Sequence, residues 1–240
     1  MTHRARVAAV IVAGGAGARF GGDRPKQFMD VNGRTVVQRS VDAFVDCGLV
    51  DEIVVVLPAS FVDDAAAVIG RVLSPTLRAV AGGSRRQDSV VNGVAAVSDR
   101  AGLVLVHDAA RPFVSTGLIG ATIAAAAEHG AAIVAVRAHD TVKQVAPLDG
   151  ALIVTRTIPR DEVYLAQTPQ GFRRDVLARA LALSATHEAT DEASLVEALG
   201  LKVAIVPGDA TNIKVTVPAD LVLAGAIAGT RANTADRKVE

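Results

Sequence analysis

Tryptophan is absent from the 240 residues, tyrosine occurs once and phenylalanine six times, too few aromatic faces to stack a run of bases. The single cysteine, Cys47, excludes a disulfide framework and a cysteine-based zinc site, and suits a reducing compartment. Nor is there a surplus of charge. Twenty-five basic side chains balance twenty-five acidic ones, whereas a general nucleic-acid binder carries a basic excess to neutralise phosphates. No apolar stretch approaches the ~20 residues of a membrane span. Residues 7–13, behind Arg4 and Arg6, have the polarity of a secretion signal but stop at Gly14-Gly15; a buried strand ending in a glycine turn explains them better. The expectation is a soluble, cytoplasmic protein with neither nucleic acid nor membrane as partner.

Half of the residues are apolar, enough for one large α/β domain or two small ones. Residues 7–12, 53–57, 77–80, 103–107, 131–136 and 202–206 read as buried strands, continuously apolar rather than alternating. Between them 35–45, 63–73, 88–97, 116–129, 174–184 and 191–199 read as helices, with Thr35, Ser60, Ser115 and Thr190 as N-caps. This alternation predicts a mostly parallel sheet with helices on both faces. One stretch breaks the rhythm: 137–168 holds strand-like pieces, a turn at 147–150 and no helical period. It predicts a projecting β-arm over 138–165 on a single domain spanning 1–230, with a frayed tail at 231–240.

The chemistry concentrates after the first strand, in Ala13-Gly14-Gly15-Ala16-Gly17-Ala18-Arg19. Glycines there let backbone N–H groups approach a phosphate chain. The loop lacks the Gly-Lys-Ser/Thr of a P-loop, and its dinucleotide fingerprint fails at Phe20, with Thr35-Val36-Val37 where the ribose-binding acid would fall. A hydride-transferring enzyme is therefore disfavoured. Arg19 and Lys26, two cations beside a glycine cradle, suit a triphosphate whose charge grows during displacement; taken singly, each would read as an ordinary solvated side chain.

Asp108 ends an apolar strand, where ligands bind in open α/β sheets, and a carboxylate there suits Mg²⁺; an N-cap or turn aspartate is the structural alternative. His107 continues the strand and reads as a satisfied core histidine. Asp209 could approach a metal, but turn chemistry at Pro207-Gly208 explains it equally well. Asp191 and Glu192 read as acids of a helix's first turn rather than as an acid/base pair.

Ala-Gly-Gly-x-Gly-x-Arg followed by Pro25-Lys26-Gln27-Phe28 resembles the sugar-phosphate nucleotidyltransferases. Gly82-Gly83-Ser84-Arg85-Arg86-Gln87-Asp88-Ser89-Val90 narrows this to the polyol-phosphate cytidylyltransferases. His107 to Phe113, Gln167 to Gln170, Thr190 to Ser194 and Asn212 to Thr216 follow in that family's order, over residues 7 to about 228. Six weak motifs in sequence make one strong match. The resemblance implies a Rossmann-like nucleotidyltransferase sheet and cytidylyl transfer from CTP, with 2-C-methyl-D-erythritol 4-phosphate favoured over ribitol 5-phosphate as acceptor.

It also implies roles. Ala13, Gly14, Gly15, Gly17 and Arg19 would hold the triphosphate, with Lys26 as second cation and Lys214 sharing the catalytic charge. Gly82, Gly83, Ser89 and Ala109 would complete the CTP site, and Asp108 would face Mg²⁺. Arg111, Thr141 and Arg160 would bind the acceptor, the last two reaching from the arm into the other subunit of a homodimer. An acceptor phosphate is largely dianionic at neutral pH, its second pKa being near ~6, so no general base is expected. A non-catalytic interaction module remains the alternative of another class.

Overall fold

The computed structural model describes residues 4–14 and 25–236. Its first half comprises β1 (Arg6–Val12), β2 (Asp30–Val31), β3 (Arg34–Thr35), α1 (Val36–Asp46), β4 (Glu52–Leu57), α2 (Ala65–Ile69), β5 (Leu77–Ala81), α3 (Arg86–Ala95) and β6 (Ala101–Asp108). There follow α4 (Thr116–His129), β7 (Ala131–Arg137), β8 (Val142–Leu148), β9 (Ala151–Ile158), β10 (Tyr164–Arg173), α5 (Arg174–Ala182), α6 (Glu192–Ala198), β11 (Ala204–Pro207) and α7 (Pro218–Asp236).

Seven strands form one sheet in the order β11-β7-β10-β6-β1-β4-β5. All run the same way except β10, which is antiparallel to both β6 and β7. Along β1, Val7, Ala9 and Ile11 join one core with α1, α2 and α4, while Ala8 and Val10 join a second with α3, α5 and α6. Successive strand side chains point to opposite faces. A strand covered on both faces must therefore be apolar throughout, which is why β1 and β4 read as unbroken runs. This is the expected α/β architecture.

The local signals fail where tertiary contacts intervene. Residues 63–73 yield only the short α2, ended by Gly70 in the left-handed region at φ 70°, and Ser60 lies inside a 3-10 turn rather than capping a helix. Asp191, not Thr190, caps α6, its carboxylate accepting from the Ser194 amide. β10 was hidden by Pro169 and Gly171, and α7 by its many small residues. α7 also runs to Asp236, past the point where a frayed tail was expected.

Three features place the site. The parallel strands β1, β4, β5 and β6 bring their C-terminal ends to one edge, with Val12 in register with Asp108 on one side and Val56 on the other. β8 and β9 form a separate two-stranded antiparallel sheet, turning at Asp149 and Gly150 with φ 48° and 80°. Since β8 follows β7, this arm rises from the same edge. Finally, α7 packs Ala224 and Ala228 against Phe113 and Val215, holding the segment that carries Lys214.

Candidate active site

Two glycines from different loops meet where β1 and β5 end. A Cβ on Gly14 would lie 3.0 Å from Ser89 Oγ and 3.5 Å from the Gly82 Cα, and one on Gly82 only 2.8 Å from Ser89 Oγ. The Ser89 side chain, rather than the facing backbone, leaves no room for a Cβ at Gly82. Ser89 Oγ accepts from the Gly83 amide at 3.1 Å and donates to the Arg85 carbonyl at 3.1 Å, closing the turn that opens α3. Its hydroxyl thus shapes the cradle from within. Gln27, buried in the Pro-Lys-Gln-Phe element, donates to the Ala13 carbonyl at 2.7 Å and pins the start of the glycine loop. Gly15, Gly17 and Arg19 lie outside the described residues.

Asp108 stands on the same edge. Its Oδ1 accepts from Arg86 Nε at 3.1 Å and its Oδ2 from Lys214 Nζ at 2.6 Å. Arg86 turns its two terminal nitrogens to Glu192, at 2.8 Å and 3.1 Å. Burial alone would push the Asp108 carboxyl up, but Arg86, Lys214 and Arg111 outweigh it and hold it well below the usual carboxylate range. Arg86, lowered by burial, is raised overall by its two carboxylates. Glu192 is nonetheless pushed up, burial first among the causes. Its side chain is 2% exposed against 11% for Asp108, and it shares Arg86, its one ion-pair partner among the described residues. Among the described residues the ion pairs join two cations, Arg86 and Lys214, to two carboxylates.

Behind Asp108, Thr168 Oγ1 accepts from the Asp108 amide at 3.1 Å and meets His107 Nδ1 at 2.9 Å. His107 Nε2 faces the Arg111 carbonyl at 3.2 Å. A carbonyl only accepts, so Nε2 carries the proton; Nδ1 then accepts from the Thr168 hydroxyl. Burial pulls the His107 pKa down to about 4. It is a neutral core histidine, turned inward.

Several residues assigned from the resemblance make hydrogen bonds within the fold. Ala109 is fully buried, its amide donating to Val12 and its carbonyl accepting from Ser40 Oγ. The Ala13 amide is likewise bonded to Val56. Arg111 grips the carbonyls of Asn212 at 2.8 Å and Ala166 at 3.2 Å. Its Nε and the Asn212 Oδ1 are buried without a hydrogen-bond partner among the described residues. Asp209 is a turn residue, its Oδ1 accepting from the Thr211 amide and hydroxyl.

Thr141 and Arg160 are exposed at the base of the arm, where Arg160 donates to the His139 carbonyl at 3.0 Å. Among the described residues no hydrogen bond ties them to the Asp108 cluster. Arg86 and Glu192 are the members that sequence reasoning missed. The Gly-Gly-x-x-Arg element pointed at Arg86, but nothing local marks Glu192 as its partner.

Residues 7–230 match the family model described as 2-C-methyl-D-erythritol 4-phosphate cytidylyltransferase. The bifunctional enzyme IspD/IspF of Anaeromyxobacter sp. is 47% identical over 95% of this chain, which spans only 58% of that relative. The 2-C-methyl-D-erythritol 4-phosphate cytidylyltransferase of Frankia casuarinae is 45% identical over 92% of this chain and 81% of its own. The crystal structure of the Thermus thermophilus cytidylyltransferase of the same name superposes with a TM-score of 0.72 at 39% identity, covering 92% of this chain and 97% of the other.

Proposed function

The chain belongs to the 2-C-methyl-D-erythritol 4-phosphate cytidylyltransferase family, and we propose that it performs this reaction with the charged residues gathered round Asp108. The observation that carries the proposal is Asp108 itself, held ionised by Lys214 and Arg86 beside the Gly14–Gly82 cradle.

A phosphate oxygen of 2-C-methyl-D-erythritol 4-phosphate attacks the α-phosphorus of CTP. The new P–O bond forms as the bond to the β-phosphate breaks, and pyrophosphate leaves in line. The attacking dianion has no proton to surrender at neutral pH, so the chain needs no general base. His107, neutral and inward-facing, agrees with that. What remains is positioning and stabilisation of negative charge. Lys214, anchored on Asp108, supplies a cation there; Lys26, and Arg19 outside the described residues, supply others along the triphosphate. Gly82 and Gly83 bring backbone against the base, and Arg111 lies on the acceptor side.

Mg²⁺ is the proposed cofactor. Asp108 is fully anionic, yet both its oxygens already accept from cations, and no cluster of three acidic, histidine or cysteine side chains suited to a metal exists among the described residues. Such a site fits an ion that takes one protein carboxylate and draws its other ligands from substrate phosphates and water, as Mg²⁺ does. When bound, the ion would supply charge neutralisation to the triphosphate.

A homodimer through the arm is supported by Val145, Leu148, Leu152, Ile153 and Val154, all exposed on a two-stranded ribbon that alone is marginally stable. Thr141 and Arg160 would then serve the partner's acceptor site. No helix among the described residues is long and apolar enough to cross a membrane, and the single cysteine supports action in the cytoplasm.

The test is pyrophosphate release from CTP with each polyol phosphate. Turnover with 2-C-methyl-D-erythritol 4-phosphate, lost in chelator and restored by Mg²⁺, is expected. Turnover with ribitol 5-phosphate alone would reassign the acceptor.

A further inference from the structure

We infer that Glu192 and Arg86 form a positioning pair that sets the orientation of Asp108, and through it Lys214, for the transfer proposed above, on which reading this inference rests. Acids in a helix's first turn ordinarily face water and interact with the helix dipole. Glu192 does not. Asp191 already caps α6, and Glu192 points inward with 2% of its surface exposed.

The geometry explains what an interior carboxylate achieves there. A guanidinium is planar and rigid, so its terminal nitrogens and Nε share one orientation. Glu192 grips both terminal nitrogens of Arg86, one with each oxygen. Once they are held, the direction of Nε is decided, and that N–H donates to Asp108 Oδ1. Asp108 Oδ2 is then turned toward Lys214.

Glu192 is itself fixed to the sheet. Gln170 of β10, fully buried, donates to Asp191 Oδ2 at 2.7 Å and accepts from the Ala193 amide at 3.2 Å. The residues on either side of Glu192 are thus tied to the strand that pairs with β6. A pair serving stability alone would not require this arrangement, because buried ion pairs are commonly replaceable by packed apolar side chains without loss of stability. Here the third contact of the fork falls on the site carboxylate.

Glu192→Gln keeps the shape and removes the charge that grips the fork; Arg86→Lys keeps the charge and removes the fork. Each is expected to lower kcat/KM on the order of 10–100-fold, the range for groups that orient a functional ligand. The loss should persist when rates are divided by the concentration of CTP-binding sites, which separates it from misfolding. The combined variant should be no worse than about twofold below the weaker single variant, because both act through one geometry. Wild-type kcat and KM in either folded single variant, or losses that multiply in the combination, would overturn the inference. Should Glu192→Gln fail to fold, the apolar pair Arg86→Met with Glu192→Leu takes its place, and wild-type turnover there would overturn it equally. A crystal structure of the Glu192→Gln protein decides the geometry without any assay. Arg86 Nε is expected to leave Asp108 Oδ1, and an unmoved Arg86 would refute the pairing. An inactive wild-type protein would sink the proposed reaction alone, since that geometric result stands apart from it.

Discussion

Lys214 Nζ lies 2.6 Å from Asp108 Oδ2, although 106 positions of chain separate the two residues. The contact joins the end of β6 to the segment beneath α7. It places a cation at the sheet edge where the glycine loops converge, and it leaves that cation partly exposed, at 38% of its side chain.

Lys214→Gln should therefore remove charge from the site while leaving the cores untouched. Turnover is expected to fall on the order of 10²–10³-fold, by analogy with deleting an oxyanion-hole donor, with the melting temperature nearly unchanged. Steady-state pyrophosphate release beside a thermal melt checks both. Undiminished kcat/KM would take Lys214 out of the chemistry.

Gly93 sets two effects against each other. Alanine there would gain about 1 kcal/mol in helix propensity. Its Cβ, however, would lie 2.4 Å from Val10 Cγ1 and 2.7 Å from Val56 Cγ2. Overpacking costs about 1–3 kcal/mol, so crowding wins and Gly93→Ala is expected to destabilise the protein in urea titration. A stabilised variant would show that α3 can move off the sheet freely.

Asp220 reaches back from the first turn of α7 to the amides of Thr216 and Val217, at 2.6 and 3.0 Å, and to the Thr216 hydroxyl at 2.7 Å. Burial is the largest single influence and opposes ionisation, but these hydrogen bonds and nearby Lys26 together outweigh it and hold the carboxyl below its usual range. A depressed carboxylate stabilises the fold above its unfolded pKa, and that contribution disappears as pH falls through the folded value. Asp220→Ala should cost about 0.5–2 kcal/mol at neutral pH, as for a lost cap, and progressively less below about pH 4. Chemical denaturation of both proteins across that range would expose a pH-independent difference, the result that contradicts this assignment.

Mixing the Lys26→Ala and Arg160→Ala proteins tests the arm. If Arg160 serves the partner's site, each mixed dimer has one site with both residues intact. Random assortment makes half the dimers mixed, so activity should recover to roughly a quarter of wild type. A fully exchanged mixture as inactive as its components would confine each arm to its own subunit.

The legible part of the protein was written in short-range patterns. Residues 7–12 and 53–57 are apolar without a break because both faces of the sheet are covered, and a local pattern suffices to reveal that. Thr35 and Ser115 cap their helices as read, since a cap bonds only to amides a few residues on. The inward histidine was legible too, because His107 lies within a strand's apolar period. Ser60 instead lies in a 3-10 turn ahead of α2, and Asp191, next to Thr190, takes the cap of α6; which of two adjacent polar residues caps a helix is settled by packing.

The sequence by itself determined the fold class and, through the order of its motifs, the resemblance to the cytidylyltransferases, because glycine turns, strand ends and a carboxylate at a sheet edge are each encoded within a few residues. Only the tertiary structure decided what surrounds Asp108. Arg86, Glu192 and Lys214 come from three separate segments, each reading alone as a surface charge. Ala109, adjacent to Asp108 in the chain, is hydrogen-bonded to Val12 and Ser40. Charges distant in sequence interact only once the backbone has brought them together. Their partners, and the burial that raises Glu192 while the same Arg86 helps to lower Asp108, are properties of the folded geometry.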